Sequence, residues 1–244
     1  MRMKYIVPLL VMGWVLAAVW SLAADSFANL SLYREEEIVT TQYPGEKQTT
    51  TVTRSWIKGV KMRTDTGDGV EISLIRPDQD KVYNINLQRK MYAESPLSVY
   101  RKAAKLSLAM LGNDPTYQWT GRQKKIGSWN CREVVVADET APNGERMKTV
   151  WWVSQDVGMD KQLLRHIMSL TMGMELDEST LKAFEKLTNI PGYPVQTETS
   201  FTRGGFTLKT VQTLKKIERR TIEDKIFELP EGLTKLNVPV PEGM

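Results

Sequence analysis

Most of the chain alternates apolar and polar residues in short runs, the two-residue period of half-buried β-strands. Phe27–Thr40 is the first such stretch, with Leu30, Leu32, Ile38 and Val39 as apolar points. Thr49–Lys58 follows; it is rich in Thr and carries Val52, Trp56 and Ile57, a β composition. Val60–Asp65, Val70–Arg76, Lys81–Asn86 and Lys90–Glu94 come next at close to ten-residue spacing. Gly67-Asp68-Gly69 and Pro77-Asp78-Gln79-Asp80 punctuate them as turns. Strand patterns resume at Tyr117–Lys125, Asn130–Asp138 and Arg146–Ser154, and again at Tyr193–Arg203, Gly205–Ile217 and Arg219–Thr221. Gly204-Gly205 is a hairpin turn, and Ile226–Leu233 reads as a short extended segment.

Three stretches switch to helical spacing. Leu97–Leu111 begins after Ser95-Pro96 and stops at Gly112-Asn113. Asp160–Gly173 places Leu163, Leu164, Ile167, Met168 and Thr171 on one face. A third helix begins at Asp177-Glu178-Ser179, with Leu181, Phe184 and Leu187 as its apolar points. About ten antiparallel strands and three helices predict an α+β fold. Its expected form is a curled antiparallel sheet, a half-open β-barrel, with the helices over its concave face. The space between such a sheet and its helices is a usual place for a small molecule.

The N-terminus has a separate logic. Arg2 and Lys4 precede twenty uncharged residues, Tyr5–Ala24, and small residues surround a cut after Ala23. This is the pattern of a secretory signal peptide, residues 1–23, ahead of a single domain at 24–244. The apolar run is also long enough to span a bilayer, so an uncleaved anchor in contact with the membrane is the rival reading. Either way the remainder is exported, to the periplasm or beyond. Loss of Arg2 and Lys4 lowers the net charge from +4 to +2, which leaves no basic stripe for nucleic acid.

The chain has one Cys and one His among 244 residues, which excludes a disulfide framework and paired-His metal sites. Cys131 is expected as a buried thiol, or alternatively as half of an intermolecular disulfide. His166 lies on a helical segment with nothing tying it to that thiol. The Met residues 159, 168, 172 and 174 suit Cu(I) in type, but flexible packing is the simpler role. Glu35-Glu36-Glu37 reads as a solvated strand edge. No nucleophile elbow, phosphate loop or His-Glu-x-x-His is present, so neither an enzyme nor a cofactor is expected. Candidates for lining an apolar cavity are Trp56, Met62, Tyr83, Tyr92, Trp119, Trp151, Met168 and Met172. The adjacent Trp151-Trp152 pair must address both faces of its strand.

Several segments in order carry a family resemblance. They are Trp56–Arg63, Leu74–Asp78, Lys81–Ile85, Lys90–Tyr92, Lys125–Cys131 and Ile226–Gly232. Together they resemble an exported bacterial family known as domain of unknown function 4412. The strand pattern is also similar to the Lol-type outer-membrane lipoprotein carriers, half-barrels that hold acyl chains under helices. The resemblance implies a lipid-like or other hydrophobic ligand and supplies no site residues. The competing expectation is an envelope structural or protein-interaction module with a filled core.

Overall fold

The computed structural model describes residues 30–100, 117–140, 144–159, 161–172, 182 and 185–237. The expected signal peptide lies outside them, as do most of the first expected helix and much of the third. Residues 97–100 are helical, and residues 185–188 form a helical turn.

The strands are β1 (Ser31–Tyr43), β2 (Lys47–Lys58), β3 (Lys61–Thr66), β4 (Glu71–Arg76), β5 (Lys81–Asn86) and β6 (Met91–Pro96). They continue with β7 (Gln118–Ile126), β8 (Trp129–Thr140), β9 (Arg146–Ser154), β10 (Tyr193–Arg203), β11 (Phe206–Arg219) and β12 (Thr234–Leu236). The helix α1 (Lys161–Met172) sits between β9 and β10. Among the described residues the strands form one open sheet, ordered β12-β6-β5-β4-β3-β2-β1-β11-β10-β9-β8-β7. All neighbours are antiparallel except β12, which lies parallel to β6.

Two meanders meet where β1 pairs with β11, so the first described strand is central. That position corrects the reading of Glu35-Glu36-Glu37 as a solvated edge. Glu36 is buried beside Arg34, Glu35 bonds Arg54, and Glu37 bonds Lys215. Each acid is held by a cation on its own or a neighbouring strand, which makes a charge run tolerable in mid-sheet.

Short turns set the register. Gly204 and Gly205 both take positive φ, the backbone that a tight two-residue hairpin between twisted strands requires. The segment after β11, expected as strand over 219–221, leaves the sheet after Arg219. It runs across the face opposite α1, tied by Arg63 Nη1 to the Ile226 carbonyl at 3.1 Å and Arg76 Nη1 to that of Phe227 at 2.7 Å. Lys58 and Lys61 grip Asp224 at 2.7 and 2.9 Å and hold its carboxyl down to about 2. Leu229 and Leu233 then pack on Ile72, Leu74 and Ile85 before β12 adds the final edge.

Candidate functional site

Direct cross-strand pairing places Leu32, Ile57, Met62, Ile75 and Val82 in one row across β1–β5. These five side chains are between 0% and 4% exposed. On α1, Leu163, Ile167 and Leu170 follow the i, i+4, i+7 spacing of one helix face and join the same core cluster. The face of the sheet that meets α1 is the inner face.

A polar contact accompanies this packing. His166 Nε2 lies 2.7 Å from the Gly59 carbonyl in the β2–β3 turn. A carbonyl only accepts, so the imidazole is assigned an Nε2–H that donates. Burial lowers the His166 pKa, against the pull of the Gly59 hydrogen bond. Arg165 Nε also donates to Thr188 Oγ1 at 3.3 Å, linking α1 to the helical turn at 185–188.

Two residues further along each strand, the inner face changes character. The next row is Arg34, Ser55, Thr64, Ser73, Asn84 and Ala93. Beyond it stand Glu36, Thr53, Thr66, Glu71, Asn86 and Met91. Over β3–β6 these rows border an open groove of about 360 Å³, with Leu236 of β12 at its edge. Over β1 the polar rows are closed. Arg34 Nη2 pairs with Glu36 at 3.0 Å, and Nη1 donates to the Tyr193 hydroxyl at 3.3 Å. Burial works against the Arg34 charge, but Tyr193 and Glu36 outweigh it and its pKa rises.

The structure distributes the residues expected to line a cavity. Met62 is in the inner apolar row. Trp56 precedes Ile57 and takes the opposite face, with its ring 5.5 Å from that of Tyr33. Tyr83 and Tyr92, with ring centroids 6.2 Å apart, pack against the cluster that Leu229 and Leu233 cover. Trp119 and Trp151 belong to a separate cluster with Val134, Val136, Leu187 and Ile190. Met168 and Met172 lie on α1, and their side chains are outside the described ones. The eight are therefore not neighbours around one space. Trp151 and Trp152 do address different packing: Trp152 clusters with Cys131, Leu164 and Leu214.

Sequence reasoning passed over Ile57, Ile75 and Val82, because ring size drew attention away from alternation. The signal was available. The turns at Gly59, Gly67–Gly69 and Pro77–Asp80 fix which apolar residues fall in register.

A second cleft, about 440 Å³, lies at the β7–β8 hairpin beside Lys124, Asn130, Cys131 and Asp156. Cys131 is 1% exposed and burial pushes its thiol up, so this cleft offers no activated nucleophile. Among the described residues no three His, Cys, Asp or Glu side chains gather as a metal site. No helix among them is long and apolar enough to cross a membrane.

Among solved structures, the chain is similar to PNGF-II at 12% identity and a TM-score of 0.32, covering 83% of this chain and 30% of that one. The chain thus spans about 30% of the length of that protein. It is similar to a LolA superfamily protein from Nitrosomonas europaea at 11% identity and TM-score 0.32, covering 85% and 94% of the two chains. For a DUF1329 family protein from Desulfovibrio piger the values are 14%, 0.33, 87% and 96%. TM-scores this low carry no inference about function. No curated protein matches the sequence. Residues 39–233, well over half the chain, match the family defined as domain of unknown function DUF4412, and the chain belongs to that family.

Proposed function

We propose that the protein is an exported, periplasmic, non-enzymatic binding protein for a hydrophobic ligand. The sheet curls as a half-barrel, and α1 is a cover that lifts from the inner face. The carrying observation is the apolar row Leu32–Ile57–Met62–Ile75–Val82, in register beneath a helix face of Leu163, Ile167 and Leu170. An acyl chain replaces these helix side chains with equivalent apolar surface. Burying three such side chains stabilises docking by about 5–9 kcal/mol, and each buried methylene of a ligand contributes about 0.8 kcal/mol. A chain of about ten methylenes therefore offsets displacement of the helix. The signal-peptide pattern of residues 1–23 supports export. Of the eight expected lining residues, Met62 is the one whose described side chain lies on this surface, and Met168 and Met172 sit on the covering helix.

The test is native mass spectrometry of the mature protein purified gently from the periplasm, followed by lipid extraction. A co-purifying lipid or fatty acid supports the reading. An unliganded mass that persists after incubation with mixed envelope lipids contradicts it. One observation favours the second reading, an envelope interaction module: the described apolar row is fully covered as it stands. In that case the protein acts through its surface, and no lipid is taken up.

A further inference from the structure

The inner face is graded. One step along β2–β5 carries it from Ile57, Met62, Ile75 and Val82 to Ser55, Thr64, Ser73 and Asn84. That step is two residues, about 7 Å. The groove of about 360 Å³ opens over these polar rows and not over the apolar one. Its volume lies at the small end of the range for ligand sites. Ile72 and Ile85 border the groove, but their buried side chains belong to the opposite face, so they offer it their backbone.

The groove's lining is mixed: Met91 and Ala93 of β6 and Leu236 of β12 form its apolar side, and its hydroxyls and amides stand on β3–β5. Thr66 and Ser73 present hydroxyls, Asn84 and Asn86 present amides, and each of these groups both donates and accepts. Asn86 Oδ1 accepts from the Arg89 backbone N–H at 2.9 Å, which holds that amide in place. Glu71 and Arg89 are the charged residues on the lining, and their charges cancel. An anionic head would need a surplus of cations. Arg34, the cation sharing the Ser73–Asn84 row, is already engaged by Glu36. Sugar hydroxyls also donate and accept, and they need no net charge.

We propose that this groove receives a neutral, hydroxyl-rich head group, a sugar, on the ligand whose tail occupies the apolar row. The inference rests on the proposed function and adds the ligand's class: a glycosylated amphiphile. Head and tail then lie along one strand direction, separated by the two-residue step.

The test is calorimetric titration of the purified protein with two probes below their micelle concentrations, dodecyl maltoside and dodecanoate. Each is also titrated into Asn84→Val, an exposed strand position where Val favours the fold. The maltoside should bind at least tenfold tighter than dodecanoate. That advantage should vanish in Asn84→Val while dodecanoate binding stays unchanged. Equal affinities, or an advantage that survives the substitution, overturn the head-group site and leave the tail reading standing. If neither probe binds, the tail reading fails, and free maltose decides the groove. Amide shifts on maltose addition confined to residues 71–73 and 84–86 support a sugar site there; their absence overturns it.

Discussion

Replacing Leu163 by Ala isolates the docking of α1. Leu163 is 2% exposed and packs within the cluster of Leu32, Ile57, Met62, Ile75 and Val82. Truncating a leucine in such a setting costs about 2–5 kcal/mol, from lost burial and the cavity left behind. If α1 lifts while the sheet stays folded, the whole loss falls on the lifting equilibrium. Each 1.4 kcal/mol is about a factor of ten, so α1 amides should exchange about 30-fold to several-thousand-fold faster. Hydrogen exchange read by mass spectrometry gives this directly, with peptides from β1 and β2 as the internal reference. Those strands keep their ladder in the lifted state, so their exchange should still require global unfolding. The substitution lowers the free energy of global unfolding by the same amount, so the β1–β2 peptides accelerate alike, and the decisive reading is the protection itself: α1 should exchange with a smaller opening free energy than β1 and β2 before and after the substitution. Equal protection of α1 and the β1–β2 peptides would overturn the lifting of α1, because the helix would then leave only when the sheet unfolds.

Other expectations follow from the same geometry. Fatty acids should show a chain-length threshold, with hexanoate failing to bind and tetradecanoate binding saturably in a fluorescence competition; equal binding of both contradicts the displacement argument. His166 resists protonation in the folded state, so the unfolded chain takes up more protons as pH falls below the ordinary histidine range of about 6.5. The stability it contributes is present above that range and is lost below it. Urea midpoints should drop between pH 7.5 and 5.5, and His166→Gln should flatten that drop; an unchanged slope in the variant counts against the assignment. Gly192 has φ +116°, and an added Cβ would stand 2.9 Å from the Ser154 carbonyl oxygen. Gly192→Ala should therefore cost about 1–3 kcal/mol in chemical denaturation, and a neutral result would show that the β9–β10 approach relaxes freely.

Local order was legible where turns and alternation agreed. Lys81–Asn86, Arg146–Ser154 and Tyr193–Arg203 coincide with their sequence patterns to the residue, and α1 falls within its expected span of 160–173, whose two end residues lie outside the described ones. The central pairing of β1 with β11 was not legible, because the partners are remote in sequence and no turn connects them. β12 was missed for a different reason. Thr234, Lys235 and Leu236 are all exposed, so no alternation marks them, and their strand character comes from the β6 edge alone. The site was half visible. Buried Cys131 and the division of labour between Trp151 and Trp152 follow from composition and strand period. The aromatic residues misled because Trp56, Tyr83 and Tyr92 belong to the face opposite α1, where the C-terminal segment runs. The polar rows were hidden among ordinary Ser, Thr and Asn, residues that gain meaning only once register places them side by side.

A fatty acid carrying a diazirine near the end of its chain reports which face of the sheet receives an acyl chain. After irradiation with the purified protein, cross-linked peptides are mapped by mass spectrometry. With the acyl chain on the inner face, labelling should be confined to the peptides of Ile57–Met62, Ile75–Val82 and α1, and excess unlabelled lipid should abolish it. Labelling spread over the surface, or concentrated beside Tyr83, Tyr92 and Leu229 on the opposite face, would contradict that placement.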